Sequence, residues 1–288
     1  MTAEQLARKA NQLVSLPRAY HRITEMLDDP RYGAADIGKV IAHEPALTAR
    51  LLRVVNSAYY GLPSKVNTIP MAITILGTRA LNDMILATEV ASSFAKLKSD
   101  LVDMADFWHH SIYCGIMARL LSKRLKIGEP DQLFVAGLLH DIGKLVIYRY
   151  APEQAEQIMA RFAEGPLQMY QVEREVLGYD HADVGRALVK NWRLADLYQD
   201  TTGLHHEPQR ARHHIPMVSV VHAANALTKK VEPGYKLDRP AEDPPELRPT
   251  AAQCVPLTPV MVEDLRLEAD VQSIEVFSTL FSGIPLND

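Results

Sequence analysis

Apolar residues recur every third or fourth position along nearly all of this chain, and alternation with a period of two is scarcely found. The first spacing puts a stripe on one face of an α-helix, while a half-buried strand needs the second. An all-α fold is therefore expected, a multi-helix bundle. From Ala34 to Ala58 the stripe reads Ile37, Val40, Ile41, Leu47, Leu51, Leu52, Val54 and Val55. Pro45 opens the second of two helices there, since proline suits a first turn. A further helix is expected from Thr78 to Leu97, opened by Gly77, and another from Asp103 to Leu125. The latter closes on Lys123, Arg124, Lys126 and Gly128, the charges and glycine of a helix C-terminus. The next starts near Pro130, and shorter ones are expected over 152–164, 167–177, 181–192, 194–206 and 216–230. Between 231 and 258, Pro233, Pro240, Pro244, Pro245, Pro249 and Pro256 interrupt every period, so an irregular connection is expected. Helical spacing returns over 259–282. The chain thus divides into an N-terminal helical lobe (1–100), a histidine-rich lobe (101–230), and a connection with a C-terminal helix (231–288).

Composition excludes several classes. The 31 Lys and Arg against 35 Asp and Glu give a net charge of −4, which argues against a nucleic-acid partner. Two cysteines, Cys114 and Cys254, make no disulfide framework, and a reducing cytoplasm is the expected setting. No run of 18 apolar residues appears, so no membrane span is expected, and the Met1-Thr-Ala-Glu-Gln start is not expected to be a signal peptide. One count stands out: nine of the eleven histidines lie between His109 and His222.

Those histidines fall on interior faces. His140-Asp141 follows seven uncharged residues, Leu133 to Leu139, which a buried helix requires. An imidazole and a carboxylate there need partners, either a divalent cation or a hydrogen-bond network. Lys144 lies one turn on, within reach of an anionic group. Asp106 and His110 are four apart and share a face with Cys114, Met117 and Leu121, while His109 flanks it. His181, with Asp180 as N-cap, starts a face continued by Gly185, Leu188 and Trp192. His205-His206-Glu207 precedes Pro208, and His222 and Asn225 are neighbours on the last helix of the set. Singly, each has a plainer reading. A lone interior histidine is usually a satisfied core residue, Asp106 suits a helix N-terminus, and His205-His206 suit a C-terminus. Five such elements within about 120 residues instead form a set of mixed N and O donors that suits one or two first-row divalent ions. The run Arg210-Ala211-Arg212-His213-His214 reads as a solvated basic loop, and His21 and His43 as surface residues.

The order His110, His140-Asp141-Ile142-Gly143-Lys144, His181, His205-His206-Glu207 resembles the HD superfamily of metal-dependent phosphohydrolases. The N-terminal half narrows this. Leu16-Pro17, the stretch around Pro45-Ala46-Leu47-Thr48, Val55-Asn56-Ser57-Ala58-Tyr59-Tyr60-Gly61 and Ala72 to Gly77 resemble the HDOD family of bacterial signal-transduction proteins. The resemblance implies an HD-type helical bundle and a cytoplasmic output or regulatory module working through a protein partner, often with a receiver domain on the same natural chain. By resemblance to the HD-GYP branch, His110, His140, Asp141, His181, His205 and His206 match ligands of divalent metal, Fe, Mn, Ni or Mg. Asp106 matches an acidic ligand, and Lys144 a lysine near the substrate phosphate. Asp141 and Lys144 would be catalytic if the module hydrolysed a nucleotide ligand, the alternative being a cyclic-dinucleotide phosphodiesterase. Two departures tell against hydrolysis. Pro208-Gln209-Arg210 stands where a Gly-Tyr-Pro motif follows in that branch, and His222 or Asn225 stands where the last metal-binding Asp belongs.

Overall fold

The computed structural model describes every residue except 14–15, 17, 96, 98, 100, 229–245 and 282–288. The helices are α1 (Ala3–Leu13), α2 (Arg18–Asp28), α3 (Ala34–Ala42), α4 (Pro45–Val55), α5 (Ile69–Phe94), α6 (Met104–Leu125), α7 (Pro130–Leu139) and α8 (Ile142–Tyr150). They continue as α9 (Pro152–Glu164), α10 (Met169–Leu177), α11 (His181–Asn191), α12 (Asp196–Leu204), α13 (Ile215–Thr228), α14 (Pro249–Cys254) and α15 (Pro259–Leu280). A short 3-10 turn, Pro208–Arg210, joins α12 to α13. No strand occurs among the described residues, as the apolar period requires. The contacts divide the chain into two units.

One unit holds residues 16–96 with α15 from Leu267 onward. Within it α5 packs on α2, α3 and α4. Ile23, Ile37, Ile41, Leu51, Leu81, Met84 and Ile85 fill the core. Asn56 ties the loop after α4: its amide donates to Val66 O at 2.8 Å and its Oδ1 accepts from Val66 N at 2.7 Å. The helix expected from Thr78 is the second piece of α5; another piece precedes it from Ile69, where Thr68 Oγ1 accepts from Met71 N and Pro70 sits in the first turn. Gly77, at φ 84° and ψ 165°, breaks it into two pieces. By length and mean hydropathy (1.2 over an 18-residue window) α5 is apolar enough to cross a membrane. Its interruption at Gly77 and its packing on three neighbours make it a core helix here.

The other unit holds α1 and residues 97–266. Helix α1 packs on α11 and α8. Helix α6 is buried on nearly every side, including Trp108, His110, Ile112, Cys114 and Leu121, and packs on α7 and α13. Its N-cap Asp103 accepts from Ala105 N at 2.7 Å, and Lys126 takes the left-handed cap conformation one residue past its end. Helix α14 falls inside the stretch expected to be irregular, because Pro249 occupies its first turn, where proline starts a helix instead of breaking one. The expected proline-broken connection around Pro233, Pro240, Pro244 and Pro245 lies outside the described residues.

Two backbone-to-backbone approaches set the positions of the histidines. A Cβ on Gly137 would lie 2.7 Å from Gly115 Cα, and one on Gly115 would lie 2.7 Å from Phe134 O. Helices α6 and α7 therefore touch along their backbones, which only glycine allows. A Cβ on Gly143 would lie 1.9 Å from His181 O and 2.7 Å from Gly185 N, so α8 and α11 meet in the same way.

Candidate metal centre

Helix α7 ends at Leu139 and α8 starts at Ile142, so His140 and Asp141 form the break between them. Asp141 stands at the N-cap of α8, where an aspartate normally accepts a backbone N–H, but its side chain makes no capping bond. It turns instead into a cluster of imidazoles. Asp141 Oδ2 lies 3.3 Å from both His110 Nε2 and His140 Nε2, which are 3.2 Å apart. Asp141 Oδ1 lies 3.0 Å from His181 Nε2 and 3.7 Å from His205 Nε2. His206 Nε2 lies 2.9 Å from His181 Nε2. Two groups of donors thus share one carboxylate: His110, His140 and Asp141 on one side, and Asp141, His181, His205 and His206 on the other.

The outward-facing nitrogens show what this arrangement needs. His140 Nδ1 donates to Gly137 O at 2.7 Å, His181 Nδ1 to Glu173 Oε2 at 2.6 Å, and His205 Nδ1 to Thr202 O at 2.8 Å. With Nδ1 committed as donor, the neutral ring presents a lone pair at Nε2. Three such lone pairs converge on a carboxylate, which holds only if positive charge lies among them. His205 Nε2 is buried and has no hydrogen-bond partner among the described residues. Imidazoles anchored through the second nitrogen to a carbonyl or carboxylate are the usual support of a metal site. Two donors about 2.1 Å from one six-coordinate ion stand about 3 Å apart, which fits the His110–His140 and His181–His206 spacings. The residues present therefore fit a divalent ion on either side of Asp141.

Without a metal ion, protons would supply that charge. Burial disfavours the His140 imidazolium, but Asp141 beside it more than offsets this and raises it to about 10. Burial likewise opposes the His181 imidazolium, and Glu173 and Asp141 together raise it to about 9. His110 goes the other way, lowered to about 4 chiefly by burial. Burial also pushes His205 well below its ordinary value, with the neighbouring His140 adding to the effect. Asp141 is held well below the usual carboxylate range despite its burial, by His140, Lys144 and His181 around it.

Of the residues singled out in the sequence, His110, His140, Asp141, His181, His205 and His206 come together. Lys144 Nζ donates to Asp141 Oδ2 at 2.5 Å, so its charge is directed into the cluster. Asp106 lies outside both donor groups. It shares a face with His110 but sits about 6 Å back along the helix axis, in the first turn of α6 and half-buried beside Asp103 and His109. Burial raises its carboxyl and lowers the flanking His109 imidazole. His222 is engaged elsewhere: its Nδ1 donates to His205 O at 2.7 Å, and its Nε2 accepts from Arg248 N at 3.3 Å. It fixes the backbone of a donor rather than offering a nitrogen of its own. Asn225, one turn on, is buried with Oδ1 accepting no hydrogen bond among the described residues.

Glu173 was not singled out from the sequence. It is buried on α10 and accepts from both Nδ1 and the backbone N–H of His181 through one oxygen. Tyr170, one turn earlier, stacks on His206 with ring centroids 4.3 Å apart.

A family model for the HDOD domain matches residues 13–208. An uncharacterized protein of Treponema pallidum is 26% identical over 229 residues, 77% of this chain and 43% of that protein. The chain spans less than half of that relative's length. Among solved structures, the Shewanella amazonensis protein named "Putative phosphohydrolase" is 26% identical, with a TM-score of 0.74 covering 96% of this chain and 97% of the other. An HDOD domain protein from Geobacter sulfurreducens has the same fold, with a TM-score of 0.74 at 23% identity over 97% of each chain. With a helical architecture among the described residues and a matched region of more than half its length, this chain belongs to the HDOD family.

Proposed function

We propose that this chain is a cytoplasmic signalling module that holds divalent metal between its imidazoles and acts through contacts with a protein partner. The observation that carries the metal reading is the convergence of the His140, His181 and His205 Nε2 lone pairs on Asp141. Five imidazoles and a single carboxylate favour a transition ion such as Fe, Mn or Ni over Mg, which prefers oxygen. Asp141 would bridge the two donor groups, one oxygen toward each. His110 and His140 would hold one side, and His181, His205 and His206 the other.

Burial favours a module over an enzyme. His140, His181 and His205 are wholly buried and Asp141 is 1% exposed. Catalytic metal sites keep a position open for substrate, whereas closed ones stabilise structure. Lys144 is already paired with Asp141. A phosphodiesterase is the second reading, favoured by the name of the Shewanella protein and by the ligand set. A bound metal would there act as Lewis acid on a phosphoryl oxygen.

The test is the metal content of protein purified without chelator, beside Asp141→Ala and His206→Ala. At least about one equivalent in wild type and a large loss in either variant is expected. Less than about a tenth of an equivalent in wild type would remove the metal reading. Hydrolysis of a generic phosphodiester and of cyclic dinucleotides, measured on the same samples, separates the two readings. Equal background rates in wild type and variants are expected, and metal-dependent turnover lost in Asp141→Ala would overturn the module.

A further inference from the structure

The basic run at 210–214 takes no part in the metal cluster. It forms one wall of a cavity of about 560 Å³, lined by Arg186, Asp200, Leu204, Arg210, Arg212 and His213. That volume lies in the range of small-molecule pockets. Three arginines and one carboxylate line it, and that carboxylate is already engaged: Asp200 accepts from Arg186 at 3.3 Å and from His214 Nδ1 at 3.0 Å. Arg210 is held by Glu207 at 2.8 Å. Arg212 makes no hydrogen bond or ion pair among the described residues. The cavity is therefore positively charged in a chain whose net charge is −4.

The stem of Arg186 and the backbone around Arg212 are held in place, while the Arg186, Arg210 and Arg212 side chains reach solvent. Gly203 has no side chain, and a Cβ there would lie 2.6 Å from Arg186 Cδ, so the arginine stem rests on the bare helix α12. Ala211 is buried and its N–H donates to Pro208 O at 3.1 Å. His214 takes a left-handed conformation, φ 54°, and is tied to Asp200. The backbone is thus pinned on both sides of Arg212 and His213. Arg210, Arg212 and His213 are exposed, as the reading of a solvated basic loop expects, and these ties shape the loop's backbone. Guanidinium forks match phosphate oxygens in geometry and charge. Leu204 adds an apolar wall, which inorganic phosphate would not use.

The geometry points to this cavity as a binding site for a small organic phosphate, a phosphomonoester of nucleotide size, with Arg212 as the unpaired cation and Arg186 and Arg210 flanking it. The site is separate from the metal cluster and does not depend on it. Calorimetric titration of the full chain with AMP, GMP and ribose 5-phosphate tests it, with adenosine, guanosine and inorganic phosphate as controls. At least one of the three esters should bind saturably, at least about tenfold tighter than its nucleoside or free phosphate. Arg212→Glu should weaken that binding by about tenfold or more, with the metal content and melting temperature of the wild type. Chelation should leave it intact. No saturable binding by any ester, equal affinity in Arg212→Glu, or loss on chelation would each overturn the assignment. Free phosphate binding as tightly as the esters would do so too.

Discussion

Glu173 holds the His181 ring through Nδ1 at 2.6 Å and the His181 backbone N–H through the same oxygen at 2.7 Å. Removing its charge while keeping an acceptor isolates what that support contributes. Glu173→Gln should weaken metal binding about 10- to 100-fold, the usual cost of losing a partner behind a ligand. Competition against a colorimetric chelator would measure it, and an unchanged affinity would show that Glu173 only packs. The residue also shows where sequence reading stops. His140-Asp141 announced itself through the apolar run that buries it, and the other histidines through their order along the chain. Glu173 had no such signal. It sits in an ordinary amphipathic stripe with Tyr170 and Val172, on a different helix from the histidine it serves. His222 failed in the opposite sense. Helix phase placed it on the right element, but one hydrogen bond to His205 O decides its role, and sequence spacing does not encode that bond.

The helices were legible because their caps and prolines are local. Pro45, Asp103, Pro130 and Pro152 each stand at or just before the start of the element they open. The approaches between helices were not legible, since Gly115 with Gly137 and Gly143 with Gly185 act only as pairs brought together by the fold. Gly77 was read as the opening of a helix, and it stands between the two pieces of α5, directly before the second. It allows a clean measurement. A Cβ there meets nothing within 4 Å, so the cost of a side chain is backbone strain alone. At φ 84° and ψ 165° that conformation is open almost only to glycine. Gly77→Ala should therefore destabilise the chain by about 1–3 kcal/mol, read as a shift in the urea midpoint with unchanged slope. No shift would mean that the break relaxes into continuous helix at no cost.

The cluster draws on five helices or their ends, α6, α7, α8, α11 and α12, all within the unit made of α1 and residues 97–266. The unit of residues 16–96 contributes no donor to it. This sets what metal removal does across the whole molecule. A ligand that binds only the folded state stabilises it by RT ln(1 + [L]/Kd), about 2.7 kcal/mol at a hundredfold excess over Kd. Without it, the donors must hold converging lone pairs and a buried carboxylate by protonation alone, at a desolvation cost. Chelation should therefore lower the melting temperature. In hydrogen exchange, the faster exchange should appear first in α8, α11 and α12, around Asp141, His181 and His205. Exchange in α3, α4 and α5 should hold at its metal-replete rate. Since the ligands to be freed come from one unit, an equal acceleration in both would mean that the metal acts on global stability without a local seat. No change in either would mean that the imidazoles are held by hydrogen bonds alone. Restoring each candidate ion in turn, with recovery of α11 protection as the readout, would then identify the metal without reference to catalysis.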